Sequence, residues 1–314
     1  MPVHKTPDMH GTICMVTRTS HGAHHDMRGK ICMVTGANQG IGRETVAGLA
    51  RLGTTVIAVA RDSVRGEAAV EGIRAETGSH DVHLMLADLS SQAAVRDLAR
   101  DFMQRYDRLH VLVNNAGAIN TQYGTTIDGI ETTFAVNHLA YFLLTNLLLP
   151  VLGASAPSRI VNVSSDAHRG GEIRFADLGR KSEYRGYQAY SQSKLANVLF
   201  TYELARRLEN TSVTANCLHP GVVATGFGRN NSGFLRWGMR LTRPFLTKPA
   251  RGAETSIYLA SSPEMEGVTG EYFYKCQQTP SDPASYDEDL AGYLWDISVR
   301  MTGLAGSADD VRQI

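Results

Sequence analysis

Thr35-Gly36-Ala37-Asn38-Gln39-Gly40-Ile41-Gly42 directly follows the apolar run Ile31-Cys32-Met33-Val34 and leads into a helix-compatible segment, Arg43 to Leu52. The order is strand, glycine-rich turn, helix start, the local architecture that receives a dinucleotide pyrophosphate. Glycines suit the turn because it needs backbone conformations closed to other residues, and because a Cβ would hold phosphates away from the amide N–H groups. The free N–H groups and dipole of the helix starting near Ile41 face the anion. Gly36, Asn38, Gly40, Ile41 and Gly42 are therefore candidate cofactor contacts. Taken alone, the same glycines are compatible with a shortened strand-to-helix loop.

Further features follow in a fixed order. Asn114-Asn115-Ala116-Gly117 ends a second apolar run, Leu109 to Val113; Asn137 lies in the apolar segment Phe134 to Leu152; Ser164-Ser165 ends the run Arg159 to Val163; Tyr190-Ser191-Gln192-Ser193-Lys194 opens another helix. From Lys30 onward, strand-like runs alternate with helical patterns, which predicts a doubly wound, parallel α/β sheet covered on both faces. The expected strands are Ile31–Val34, Thr54–Ala60, Val82–Ala87, Leu109–Val113, Arg159–Val163, Val213–Leu218 and Glu271–Tyr274, seven in all. The expected helices include 128–152 and 189–209.

Over about Lys30 to Tyr274 the ordered set resembles the short-chain dehydrogenase/reductase family, a single Rossmann-type domain. The resemblance sharpens toward the retinol dehydrogenase branch in Val136-Asn137-His138-Leu139-Ala140-Tyr141-Phe142, in the run Arg159 to His168 and in Leu218-His219-Pro220-Gly221-Val222-Val223. It implies a tetrad of Asn137, Ser165, Tyr190 and Lys194 acting on an alcohol or carbonyl. Tyr190 is the expected acid/base; its unperturbed pKa is about 10. Lys194, four residues on and so on the same helix face, would stabilise the phenolate together with oxidised nicotinamide. Ser165, second of its pair, would bind the reacting oxygen, and Asn137 would hold a water. Cofactor contacts are implied at Asp88, Leu89, Asn115, Gly117, Pro220, Gly221 and Val223, besides Tyr190 and Lys194. Asp88 is also readable as a helix cap beside Ser90, Asn137 as a helix-kink amide, and His168 and His219 as structural loop residues.

The second strand ends Val59-Ala60-Arg61-Asp62. An NAD enzyme needs an acidic side chain there for the ribose 2′-hydroxyl. Ala60 accepts no hydrogen bond, whereas Arg61 presents a planar fork suited to a 2′-phosphate, so NADP(H) is the expected cofactor. Arg43 would add positive potential beside the turn.

The 31 basic and 31 acidic residues cancel, which gives no electrostatic reason to expect nucleic acid or an anionic membrane as partner. Cys14, Cys32, Cys217 and Cys276 are scattered and read as unpaired thiols in a reducing compartment, with no metal site. No unbroken apolar run reaches the roughly 18 residues of a membrane span, and the expected location is cytoplasmic. Residues 1–28 read as a flexible extension in which Gly11 to Thr17 nearly repeats Gly29 to Thr35. Residues 29–275 form the expected domain, with a substrate flap at 222–249 whose Phe227, Phe234, Trp237 and Met239 suit a lipophilic substrate; 276–314 is a C-terminal extension. The apolar helices around Phe134–Leu152 and Ala189–Leu208 suit a homodimer. Alternatives are a ketoreductase of specialised metabolism and a non-catalytic nucleotide sensor of the same fold.

Overall fold

The computed structural model of the chain describes residues 26–221 and 248–304. The tail before Asp26, the flap with its aromatic residues, and Val223 lie outside the described residues.

Eight strands form one sheet in the order β3-β2-β1-β4-β5-β6-β7-β8. They are β1 (Ile31–Thr35), β2 (Thr55–Ala60), β3 (Val82–Leu86), β4 (Val111–Asn114), β5 (Ser158–Val163), β6 (Val213–Leu218), β7 (Tyr272–Tyr274) and β8 (Gln277–Gln278). The first seven pair in parallel. The expected seven strands are thus present, and the two-residue β8 adds an antiparallel edge against β7. Its polar pair carries no strand signature.

Alternation along β1 shows why the sheet is covered twice. Met33 joins Ile57, Leu112 and Ile160 on one face, whereas Cys32 and Val34 join Val56, Val113 and Val161 on the other. The second face is packed by α1 (Gly40–Arg51), α2 (Ser63–Thr77) and α6 (Pro249–Ser261) through Leu49, Ile73 and Leu259. The first is packed by α3 (Gln92–Arg105), α4 (Ala140–Ala154) and α5 (Gly186–Arg207) through Phe102, Phe142 and Phe200. The chain order reverses between β1 and β4, the switch point where such sheets bind ligands.

The helical segment expected from Asp128 starts instead at Thr132. Asp128 is engaged elsewhere, its Oδ2 accepting from Gln92 N, and the Glu131 carboxylate accepts from the N–H groups of Thr133 and Phe134, both at 2.7 Å. A π-helical turn at Ala135–Leu139 then carries Asn137 into α4. The stretch Thr132–Ala154 is 23 residues whose most apolar window has a mean hydropathy of 1.5, long and apolar enough to span a bilayer, but 83% of that window is buried inside the protein. It is the central helix of the core.

The residues after Cys276 pack onto the same body. α7 (Glu288–Thr302) is capped by Asp287 at its start and by Gly303, at φ 61°, at its end. Trp295 of α7 lies edge-on to Phe142 (4.8 Å), stacks near Phe200 (5.9 Å) and is covered by the Arg207 guanidinium at 4.2 Å. α7 therefore covers part of α4 and α5, the two helices expected to suit a homodimer. Cys32 and Cys217 are buried and free as expected. Cys276 is disulfide-bonded, which corrects its reading as a free thiol; sequence spacing screens only for nearby partners.

Trp295 is 3% exposed, so Trp295→Ala should cost about 3–5 kcal/mol of folding stability, as measured by urea unfolding. A cost below about 1 kcal/mol would show that α7 is an appendage.

Candidate active site

All the motifs collect at the carboxyl edge of the sheet. The turn after β1 carries positive φ at Gly36 (67°) and Gly40 (59°), backbone that L residues rarely adopt. Gly42 is required by packing: a Cβ there would lie 2.3 Å from the Gly36 carbonyl oxygen and 2.5 Å from Asn115 Nδ2. Asn115, just past β4, donates through Nδ2 to Thr35 O at 2.8 Å, while Thr35 Oγ1 accepts from the N–H groups of Asn115 and Ala116. The turn is thereby fixed across the switch point. α1 has no side-chain cap and no acidic residue in its first turn, in contrast to α2 and α3, capped by Asp62 and Ser91. Its open N–H groups fit a pyrophosphate.

Arg61 lies exposed directly after β2, and among the described residues its side chain has no hydrogen bond or ion pair. Arg43 differs from expectation. Its guanidinium pairs with Glu44 and Glu76, each at 2.8 Å, so its charge is already compensated. Asp88 lies beyond β3, one carboxylate oxygen accepting from Ser90 N and Oγ; Ser91, and not Asp88, caps α3. Leu89 packs against the core, Gly117 is exposed at the same edge, and Pro220 and Gly221 follow β6.

The two serines after β5 have different duties. Ser164 Oγ donates to the Lys194 carbonyl at 2.8 Å and is buried, anchoring α5 to the strand end. Ser165 is half-buried and hydrogen-bonds the Tyr190 hydroxyl. The choice of the second serine therefore has a physical basis. His168 holds Ser165 in place: its Nε2 accepts from Asp282 N at 3.0 Å, which leaves Nδ1–H to donate to Ser165 O at 2.7 Å. His219 Nδ1 accepts from Gly221 N and its ring stacks on Tyr274 at 4.0 Å. Both histidines serve the loops, and burial lowers the pKa of each.

Tyr190 and Lys194 face the same side of α5. Burial pushes the Tyr190 hydroxyl up to about 12, opposed by the Ser165 hydrogen bond. Burial lowers the Lys194 amine to about 7, and its Nζ donates to Val163 O at 2.9 Å. The expected depression of Tyr190 by Lys194 is not what the site shows, because desolvation dominates both groups. A positive charge beside the pair would favour the Tyr190 phenolate and so oppose the effect of burial on that hydroxyl.

Asn137 is fully buried in the π turn. Its Nδ2 donates to Ala118 O and Ser193 Oγ, both at 2.9 Å, and its Oδ1 accepts from Ala118 N at 2.7 Å. Both amide hydrogens are engaged, so the side chain clamps the β4 exit to α5. Ser193 completes the clamp by donating to Tyr190 O at 2.7 Å. Sequence reasoning missed Ser193, although its place one turn after Tyr190 was visible. It also missed Thr35, whose signal is a hydroxyl at the strand end beside the turn. The inserted loop before α5 is pinned by Arg180, which donates to Glu172 O, Gln188 and Gln192, and by Tyr184, which donates to Asn120 O and Glu131.

Residues 30–233 match the family model for short chain dehydrogenase. The chain belongs to that family. Retinol dehydrogenase 14 of Homo sapiens is 46% identical over 286 residues, covering 84% of this chain and 83% of that protein. Retinol dehydrogenase 12 of Mus musculus is 44% identical over 265 residues with the same coverages, 84% and 83%. Among solved structures, an uncharacterized protein from Mycobacterium paratuberculosis is 33% identical with a TM-score of 0.72, covering 88% of this chain and 95% of that one. RhlG of Pseudomonas aeruginosa, solved as an NADP complex, is 27% identical with a TM-score of 0.64, covering 79% and 95%. Within the family the chain falls in the retinol dehydrogenase branch, as an oxidoreductase of the alcohol and carbonyl class that binds a nicotinamide cofactor.

The Lys194 shift has a thermodynamic consequence for the cofactor-free protein. The amine falls from 10.5 to about 7 on folding, so between these values the unfolded chain binds a proton that the folded chain has released. Stability contributed by this group must rise with pH across that window. Urea unfolding at a series of pH values should show the rise in wild type and its loss in Lys194→Met.

Proposed function

We propose that the protein interconverts an alcohol and an aldehyde or ketone with NADP(H), acting on a small lipophilic substrate. The observation that carries the reading is the hydrogen-bonded pair of Ser165 and Tyr190 hydroxyls, set beside Lys194 at the end of β5 while Ser164 is withheld for structure. The nicotinamide, when bound, supplies or accepts the hydride. Tyr190 gives its proton to the substrate oxygen in reduction and takes it back in oxidation. Ser165 donates to the same oxygen as charge develops on it. Lys194 holds its own proton near the phenol and hydrogen-bonds the nicotinamide ribose, while the Asn137 clamp keeps α5 in register with the β4 exit. Gly36, Asn38, Gly40, Ile41 and Gly42 receive the pyrophosphate, with Asn115, Gly117, Asp88 and Leu89 on the adenosine side. Pro220 and Gly221, just after β6, complete the proposed cofactor contacts together with Val223 of the same sequence motif.

The lipophilic substrate class is supported by the names of the relatives. The intact Asn137, Ser165, Tyr190 and Lys194 set favours an enzyme over a nucleotide sensor. Burial of most of Thr132–Ala154 in the core accounts for the apolar length of that helix without a bilayer. A homodimer would have to use a surface other than the faces of α4 and α5 that α7 covers.

NADPH absorbance followed across a panel of aldehydes, ketones and retinoids tests the reaction. Tyr190→Phe should lower turnover on the order of 10²–10⁴-fold with cofactor affinity within a few-fold of wild type. Activity above a tenth of wild type would remove Tyr190 from the role, and cofactor binding without any turnover would favour the sensor.

The NADP preference is supported by Ala60 and the unpaired, exposed Arg61. Charged hydrogen bonds contribute about 1.5–3 kcal/mol, so Arg61→Ala should weaken NADPH roughly ten- to a hundred-fold and leave NADH nearly unchanged. Equal losses for both cofactors in titration calorimetry would refute it.

A further inference from the structure

Tyr141 lies four residues after Asn137, one turn along the same helix, and is 1% exposed. Its hydroxyl donates to Ala116 O at 2.7 Å. Ala116 is the residue packed against the phosphate turn, its Cα only 2.8 Å from where a Cβ on Gly36 would stand. The Tyr141 ring is also one of two aromatic surfaces around the Lys194 amine: Nζ lies 5.8 Å from its centroid and 5.7 Å from that of Tyr190. Both distances fall within the roughly 6 Å over which a ring face attracts a cation.

The amine also donates to the Val163 carbonyl of β5 at 2.9 Å. Tyr141 faces it from α4, and Tyr190 faces it along its own helix. Burial is what lowers its pKa, and among the described residues Lys194 makes no ion pair. Tyr187 is the one further titratable group that acts on Tyr190. The Val163 carbonyl and the two ring faces are thus the local features that favour the protonated amine, and Tyr141 is the one of the two rings that takes no part in proton transfer.

We propose that Tyr141 is a positioning residue with two separable duties: its ring stabilises the Lys194 ammonium, and its hydroxyl ties that ring to the Ala116 carbonyl of the cofactor cradle. The inference rests on the oxidoreductase reading above for its effect on turnover, but the two duties are measurable without it.

Two variants separate the duties. Tyr141→Phe keeps the ring and removes the tie; Tyr141→Met keeps bulk and removes the ring face. With lysine labelled at ¹³Cε and the Lys194 signal assigned by Lys194→Arg, an NMR titration reads the amine directly. A cation–π contact of the strength usual for partly desolvated sites corresponds to about half to one pH unit. The Lys194 pKa should therefore fall by that amount in Tyr141→Met and stay within about 0.2 unit in Tyr141→Phe. The alkaline limb of turnover should move to lower pH in Tyr141→Met alone. NADPH affinity, measured by calorimetry, should weaken about three- to tenfold in Tyr141→Phe, as for loss of one neutral hydrogen bond.

Equal Lys194 titration in wild type and Tyr141→Met would overturn the ring's duty, and unchanged affinity in Tyr141→Phe would overturn the tie. Should Tyr141→Met not fold, the comparison passes to Tyr141→Leu, and the Tyr141→Phe affinity still decides the tie. Failure of the oxidoreductase reading looks different: wild type itself would turn over no carbonyl, while the NMR and affinity results would still stand or fall on their own.

Discussion

A lysine amine held out of water at the end of β5 is the constraint around which the site is built. Removing an ammonium from solvent is costly unless something nearby compensates. Here the compensation consists of one backbone carbonyl and two aromatic faces, from Val163, Tyr190 and Tyr141. Each lies on a different element or turn, so the strand end, α4 and α5 must meet in one arrangement for the amine to be accommodated. Ser164 fixes the strand to α5 and the Asn137–Ser193 pair fixes α5 to the β4 exit. The geometry offered to a substrate oxygen is a by-product of that mutual fixing.

The same logic extends to the cofactor edge. Thr35, Asn115 and Ala116 join β1 and β4 where the sheet's chain order reverses, and the glycines are needed because two backbones approach there more closely than a Cβ allows. A polar ladder continues beneath the site: Asn114 Nδ2 donates to Thr145 Oγ1 and Asn162 Oδ1, and Asn162 Nδ2 to Thr201 Oγ1. Buried and largely satisfied, such networks fix one register between strands and helices instead of adding bulk stability. They explain why apolar strands in this core carry asparagine near their carboxyl ends.

Much of this was legible in the chain itself, because its information is local. The glycine turn, the strands β1 to β7 to within a few residues, and the Tyr190–Lys194 spacing all depend on neighbours in sequence. What was not legible depends on partners far along it. The start of the apolar helix at Thr132 follows from Glu131 capping it and Asp128 turning to α3, a contact across 36 positions. Arg43 loses its free charge to Glu76, 33 positions away. A weak helix pattern around Leu290–Met301 foreshadows α7, but the two-residue β8 carries no periodic signal, and the aromatic contacts of Trp295 with Phe142 and Phe200 become visible only when α7 is in place. Tyr141 reads in sequence as one more apolar residue of a buried helix.

The hydrogen bond from Asp282 to His168 spans 114 positions, and through His168 it reaches the Ser165 carbonyl. During synthesis, which proceeds at roughly 5–20 residues per second, the glycine turn and the tyrosine helix are made well before this tether exists. The serine thus receives its final support only after nearly all of the chain has been translated. The segment that ties down the serine is therefore continuous with the one that closes the core through Trp295, so completion of the fold and completion of the site wait on the same late-made stretch of chain.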